Sequence, residues 1–201
     1  EKITNEAIES MANLEYLTAM GMAKAALLLD PNCGCAQLVL AAISSPNPNW
    51  GSQKIKLEAI NVSKLSAEEK TWHKYLMATR EERPAAAKAA VVKHPESPLI
   101  NYLTTSPTDF STYKTFATKF PKQSASSLNM LSYAYLKGDF GEPNEEMAMD
   151  YVKRSQKIHD GPNSYDSMAE HYASIGAYEK ALEAQLKAID YAQFASPYGN
   201  F

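Results

Sequence analysis

Tyr165-Asp166-Ser167-Met168-Ala169-Glu170-His171-Tyr172, with Gly176, Tyr178, Ala181 and Ala188 after it, is the stretch that decides the fold. The large Tyr165 is followed three positions on by the apolar Met168, at once by the small Ala169, and three later by the aromatic Tyr172. Residues three and four apart share one face of a helix. Gly176 and Tyr178 then turn the chain, and Ala181 and Ala188 put small residues at matching heights on a second helix. The preceding segment has the same offsets: Leu128, Leu131, Ser132 and Tyr135, then Gly138, then Ala148, Val152 and Ser155. Large side chains fill the space between two helices, and small ones let the backbones approach. Self-similarity of this kind is the signature of a helical repeat array.

The rest of the chain is compatible with helices throughout. Its 201 residues are 45% hydrophobic and 21% charged, an ordinary globular composition rather than a disordered one. Gly is scarce and Ala abundant, which favours helix over barrel or sandwich. Eleven prolines punctuate the sequence, and helix interiors exclude Pro. The pattern predicts about ten helices, near residues 4–29 (broken at Gly21), 34–44, 52–63, 67–80, 84–93, 97–104, 109–119, 124–137, 145–158, 164–175 and 178–194. Ser66-Ala67-Glu68-Glu69 is a capping box that starts a helix at Ala67, and Asn144-Glu145-Glu146 offers an N-cap with an acidic first turn. In the last helix Tyr178, Leu182, Leu186 and Ile189 form an apolar stripe expected to be buried against another helix, with Ala181, Gln185, Ala188 and Ala192 beside it. Short connections imply antiparallel hairpins.

These two tandem hairpins resemble the tetratricopeptide repeat, a helix–turn–helix unit. Residues 162–194 match best, departing at Gln185, where the family has an aromatic, and in the late closing Pro197. Residues 125–162 match with about four extra residues near Asp139–Glu142 in the turn. Ala19, Ala23 and Ala26, followed by Leu29-Asp30-Pro31-Asn32, look like the second helix and exit of another repeat, and the remainder of residues 1–124 reads as degenerate hairpins. The resemblance implies one domain over residues 1–201. It would be an all-α, right-handed α-solenoid of about five stacked antiparallel hairpins.

What the resemblance implies for function is a non-catalytic interaction or scaffold module that holds a partner polypeptide in a concave groove lined by the first helices. By repeat position the groove would present Ser126, Asn129, Met130 and Tyr133 from one hairpin and Asn163, Asp166, Ser167 and Glu170 from the next. Some family members clamp a C-terminal carboxylate with Lys and Asn. Here Ser126 and Asn163 stand where Lys would be expected, and Asp166 and Glu170 add negative charge. A neutral or basic segment is therefore expected rather than an acidic C-terminus. The alternative reading is a small-molecule or glycan-binding helical domain of a larger, exported assembly, motivated by the late aromatics Tyr165, Tyr172, Tyr178, Tyr191, Phe194, Tyr198 and Phe201. Of these, Tyr165, Tyr172 and Tyr178 are expected in the repeat core, and Phe194–Phe201 is read either as an exposed interaction surface or as a cap on the last hairpin.

Nothing in the sequence carries chemistry. The net charge of -3 argues against nucleic acid held on a broad basic face. No apolar run reaches the about 20 residues needed to span a bilayer. No metal-ligand spacing joins His73, His94, His159 and His171, each read as a surface or partly packed histidine, and no nucleophile elbow or phosphate loop occurs. Cys33-Gly34-Cys35 lacks further ligands nearby and would form a strained ring as a disulfide, so both are read as small residues at the entry of a packed helix. No enzyme activity, cofactor or metal is expected. A soluble protein is expected, and the start at Glu1 fits removal of an export signal as well as excision of a domain from a longer chain.

Overall fold

A computed structural model describes residues 2–43 and 50–192. They form twelve α-helices, and no strand occurs among the described residues. The chain divides into two compact units, Glu1–Thr104 and Thr105–Phe201.

The first unit holds α1 (Lys2–Ala12), α2 (Tyr16–Leu29), α3 (Gly34–Ile43), α4 (Trp50–Glu58), α5 (Ala67–Met77), α6 (Arg83–Lys93) and α7 (Pro98–Tyr102). Successive helices pack on one another, and α3 also meets α1 and α5. Ala19, Ala23 and Ala26 bury one face of α2, and Leu38, Val39, Leu57, Trp72, Leu76 and Ile100 fill the core. The long first helix expected to break at Gly21 breaks instead at Asn13–Glu15. There Leu14 takes a left-handed φ of 66°, and the Asn13 side-chain amide donates to the Glu9 carbonyl at 3.0 Å. The Asn13 N–H keeps its helical bond to that same carbonyl, and the helix closes as the Leu14 N–H turns to the Met11 carbonyl and the Glu15 N–H to the Ser10 carbonyl, whereas Gly inside a helix costs only about 1 kcal/mol against Ala. The Leu29-Asp30-Pro31-Asn32 exit is a turn in which the Asp30 carboxylate accepts from the Asn32 N–H at 2.9 Å.

The capping box forms as the sequence predicts. The Ser66 N–H donates to Glu69 Oε2 at 2.7 Å, and the Glu69 N–H donates to Ser66 Oγ at 3.2 Å. Ser66→Ala removes one of these bonds and is expected to cost the first unit about 1 kcal/mol, read as a lower urea midpoint at constant slope.

The second unit holds α8 (Ser111–Lys119), α9 (Ala125–Lys137), α10 (Glu145–Ile158), α11 (Pro162–Ser174) and α12 (Tyr178–Ala192). Its densest packing is within two hairpins, α9 on α10 and α11 on α12, and α10 packs on α11 between them. Corresponding positions are buried or half-buried in both hairpins. Leu128, Leu131 and Ser132 in α9 match the half-buried Tyr165 and the buried Met168 and Ala169 in α11, and Ala148 in α10 matches the half-buried Ala181 in α12. Asn144 caps α10 by accepting from the Met147 N–H at 2.8 Å. Residues 138–144 take up the extra length of the first hairpin's turn.

One expectation is reversed. The apolar stripe of α12 faces outward: Tyr178 is 72%, Leu182 61% and Leu186 55% exposed, and only Ile189 is half-buried. The buried face is made by Ala184 and Ala188. Alanine lets α12 lie close to α11, and that leaves the bulkier residues on the far side. Tyr165 and Tyr172 pack against the core as expected, but Tyr178 does not. Phe194, Tyr198 and Phe201 lie outside the described residues.

Candidate functional site

The eight residues expected in the groove come from α9 and α11, and these two helices touch. Ser126, Asn129 and Ser167 are buried, Met130, Tyr133, Asn163 and Asp166 are half-buried, and Glu170 is exposed. The surface open to a partner therefore consists of the other five. Ser167 Oγ donates to the Asn163 carbonyl at 3.0 Å and accepts from the Tyr133 hydroxyl at 3.0 Å. Tyr133 is thereby fixed across the two helices, with Lys137 Nζ 5.7 Å from its ring centre. Burial pushes the Tyr133 hydroxyl above its ordinary pKa, so it stays a neutral hydrogen-bond donor.

Small polar residues make this close approach possible. Ser132 Oγ donates to the Asn129 carbonyl at 2.6 Å, and Ser155 of α10 donates to the Ala125 carbonyl at 2.7 Å. The stripe continues on α11 as Ser164, Ser167 and His171, all buried. His171, read from sequence as a surface or partly packed histidine, is only 3% exposed and meets Tyr133 edge-on, ring centres 5.2 Å apart. Neither of its ring nitrogens finds a hydrogen-bond partner among the described residues, nor does Asn129 Oδ1. Burial holds the imidazole below its ordinary pKa, with the neighbouring Glu170 carboxylate pulling weakly the other way. The signal was present in the sequence: Ser164, Ser167 and His171 sit at i, i+3 and i+7, one face of a helix.

At the edge of this face a cavity of about 310 Å³ lies between α11 and α12, with Asp166, Glu170, Leu182 and Gln185 around alanines. Gln185 Nε2 reaches Asp166 Oδ1 at 3.4 Å. Burial, and secondarily the charge of Glu170, raise the Asp166 carboxyl above its ordinary pKa, while the Gln185 contact opposes them. Gln185 and Leu182 were not counted among the groove residues, because Gln185 stood out only as a departure from a repeat consensus and Leu182 was read as core.

The remaining histidines sit in the first unit or at a helix end. His73 Nε2 lies 2.9 Å from the Leu57 carbonyl and His94 Nε2 3.0 Å from Thr71 Oγ1, while His159 follows α10. Cys33 and Cys35 are free thiols packed against the first unit's core, and burial beside Glu69 pushes the Cys35 thiol up to about 12. A thiol held protonated in this way is a poor nucleophile and metal ligand. No group of three or more His, Cys, Asp or Glu arranged to hold a metal ion occurs among the described residues, and none of their helices is long and apolar enough to cross a membrane. Comparison with protein-family models, with curated proteins and with solved structures finds no match.

Proposed function

We propose that this chain is a non-catalytic interaction module similar to the tetratricopeptide repeat proteins. In this reading its hairpins stack as a right-handed solenoid, and it holds a partner polypeptide on the face shared by α9 and α11. The observation that supports this most is the likeness of the α9/α10 and α11/α12 hairpins, which pack as pairs and bury or half-bury matching positions. The open members of the face, Met130, Tyr133, Asn163, Asp166 and Glu170, combine apolar, amide and acidic groups, as a surface for a neutral or basic segment would. Among the described residues no aromatic side chain lines the cavity beside them, which supports a polypeptide more than a glycan.

The test compares capture from an extract of the source cells by wild type and by Met130→Ala/Asn163→Ala, with helicity checked by circular dichroism. Both side chains are partly exposed, so the variant is expected to stay folded. At least a tenfold loss of a captured polypeptide is the expected result. Equal capture by both proteins would remove this face from the interaction.

A further inference from the structure

We propose that the outer face of α12, with the cavity it shares with α11, is the docking site for a basic amphipathic helix. Its apolar anchors would lie along Tyr178, Leu182 and Leu186, and one of its Arg or Lys side chains would enter between Asp166 and Glu170. This deepens the reading of the chain as a polypeptide-binding module, on which it rests, by naming the chemistry of the partner.

The first ground is an unmatched surface. Met149 of α10 is the counterpart of Leu182 by hairpin register, and it packs against the cluster that α11 completes with Met168 and Ala169. The same position on α12 is exposed, and no described helix covers it. Tyr178, Leu182 and Leu186 recur every four residues, so they form a ridge of the kind that packs against another helix. Scattered surface leucines need no explanation, but a continuous stripe does.

Charge selects the occupant. At 100° per residue Glu179, Glu183 and Asp190 fall along one side of the stripe. Asp166 and Glu170 line the cavity on its other side, together with Leu182 itself. Glu183 is engaged by Lys187 at 3.1 Å, but Glu179, Asp190, Asp166 and Glu170 form no ion pair with a described residue. The two cations of this helix are turned away from the stripe, with Lys180 and Lys187 Nζ 5.8 and 5.9 Å from the ring centres of Tyr172 and Tyr165. An apolar ridge between two acidic margins complements a helix with apolar anchors between Lys and Arg. A second copy of this chain would bring acid against acid. The cavity suits a guanidinium, which can bridge two carboxylates through its fork of N–H donors.

The probe is a synthetic helix-forming peptide with Leu at every fourth position, flanked by Lys and Arg. Its control keeps the same leucines and replaces the basic residues with Glu. Binding to the full chain is followed by fluorescence anisotropy at low and at physiological salt. The basic peptide is expected to bind at least tenfold tighter than the acidic one. Leu182→Ser/Leu186→Ser is expected to weaken it at least tenfold. Asp166→Asn/Glu170→Gln is expected to weaken it severalfold and flatten its salt dependence. Equal binding of both peptides, or no binding of either, overturns the proposal. So does binding by a chain ending at residue 192 when the full chain has none, which would assign the face to the chain's own last residues. Sedimentation showing a dimer that Leu182→Ser/Leu186→Ser dissolves would assign it to a second copy. A partner captured from extract and lost only in Met130→Ala/Asn163→Ala would leave the groove reading standing while this one fails.

Discussion

Gly138→Ala is expected to destabilise the second unit by about 2–5 kcal/mol, while Gly176→Ala costs about 1–2 kcal/mol. The two glycines occupy equivalent turns, after α9 and after α11, with φ of 82° and 74°. Left-handed backbone penalises any Cβ, so both substitutions carry that strain. They differ in what the new methyl meets. At Gly138 it would lie 2.7 Å from the Gly141 carbonyl oxygen and 3.1 Å from Pro143 Cδ, whereas nothing lies within 4 Å at Gly176. Gly141 and Pro143 cannot yield easily, because the turn is tied to α9. The Asp139 N–H donates to the Ala134 carbonyl at 2.9 Å and the Asn144 N–H to the Tyr135 carbonyl at 2.9 Å. Urea denaturation followed by circular dichroism separates the variants. Equal losses at the two sites would mean that the 138–144 turn relaxes freely and that the crowding is irrelevant.

That contrast also marks how far the sequence could be read. Gly138 and Gly176 were legible as turns because few other residues adopt their backbone, and Ser66 and Asn144 were legible as caps because the chemistry is local. The break at Leu14 was not legible. It depends on a non-glycine residue taking the left-handed turn that closes α1, and Gly21 was the more conspicuous breaker. The stripe on α12 was visible in its period but not in its direction. Periodicity states that two faces differ, and only the neighbour decides which is covered. Here the alanines fit α11 more closely than the leucines do. The candidate groove was partly legible for the same reason. Repeat position placed its residues on α9 and α11 together, but Ser126, Asn129 and Ser167 are buried, and only Ser167 shows why, closing its hydrogen bonds on the Asn163 carbonyl and the Tyr133 hydroxyl.

Acid is expected to destabilise the wild type, starting near the ordinary histidine pKa, and His171→Leu is expected to remove that sensitivity. The folded state holds His171 below its usual pKa of 6.5 because the ring is buried. As pH falls below 6.5 the unfolded chain takes up the proton first, so stability is present above that pH and is lost on acidification. The slope approaches about 1.4 kcal/mol per pH unit until the folded ring also titrates. The groups facing the ring do little to relieve this, since Tyr133 stays neutral and Glu170 offsets only part of the burial. Asp166 works in the opposite sense. Its carboxyl is raised above 3.8, chiefly by burial, so the folded state gains relative stability as pH falls toward that value. His171→Leu keeps similar bulk against Tyr133 and removes two buried nitrogens that no described residue satisfies. It is expected to gain about 1–3 kcal/mol at neutral pH as well as losing the acid slope. Urea midpoints of both proteins at half-unit pH steps measure this directly. An unchanged slope in the variant would assign the acid sensitivity to another group. Loss of stability at neutral pH would mean that His171 contributes more through its contact with Tyr133 than its unmet nitrogens cost.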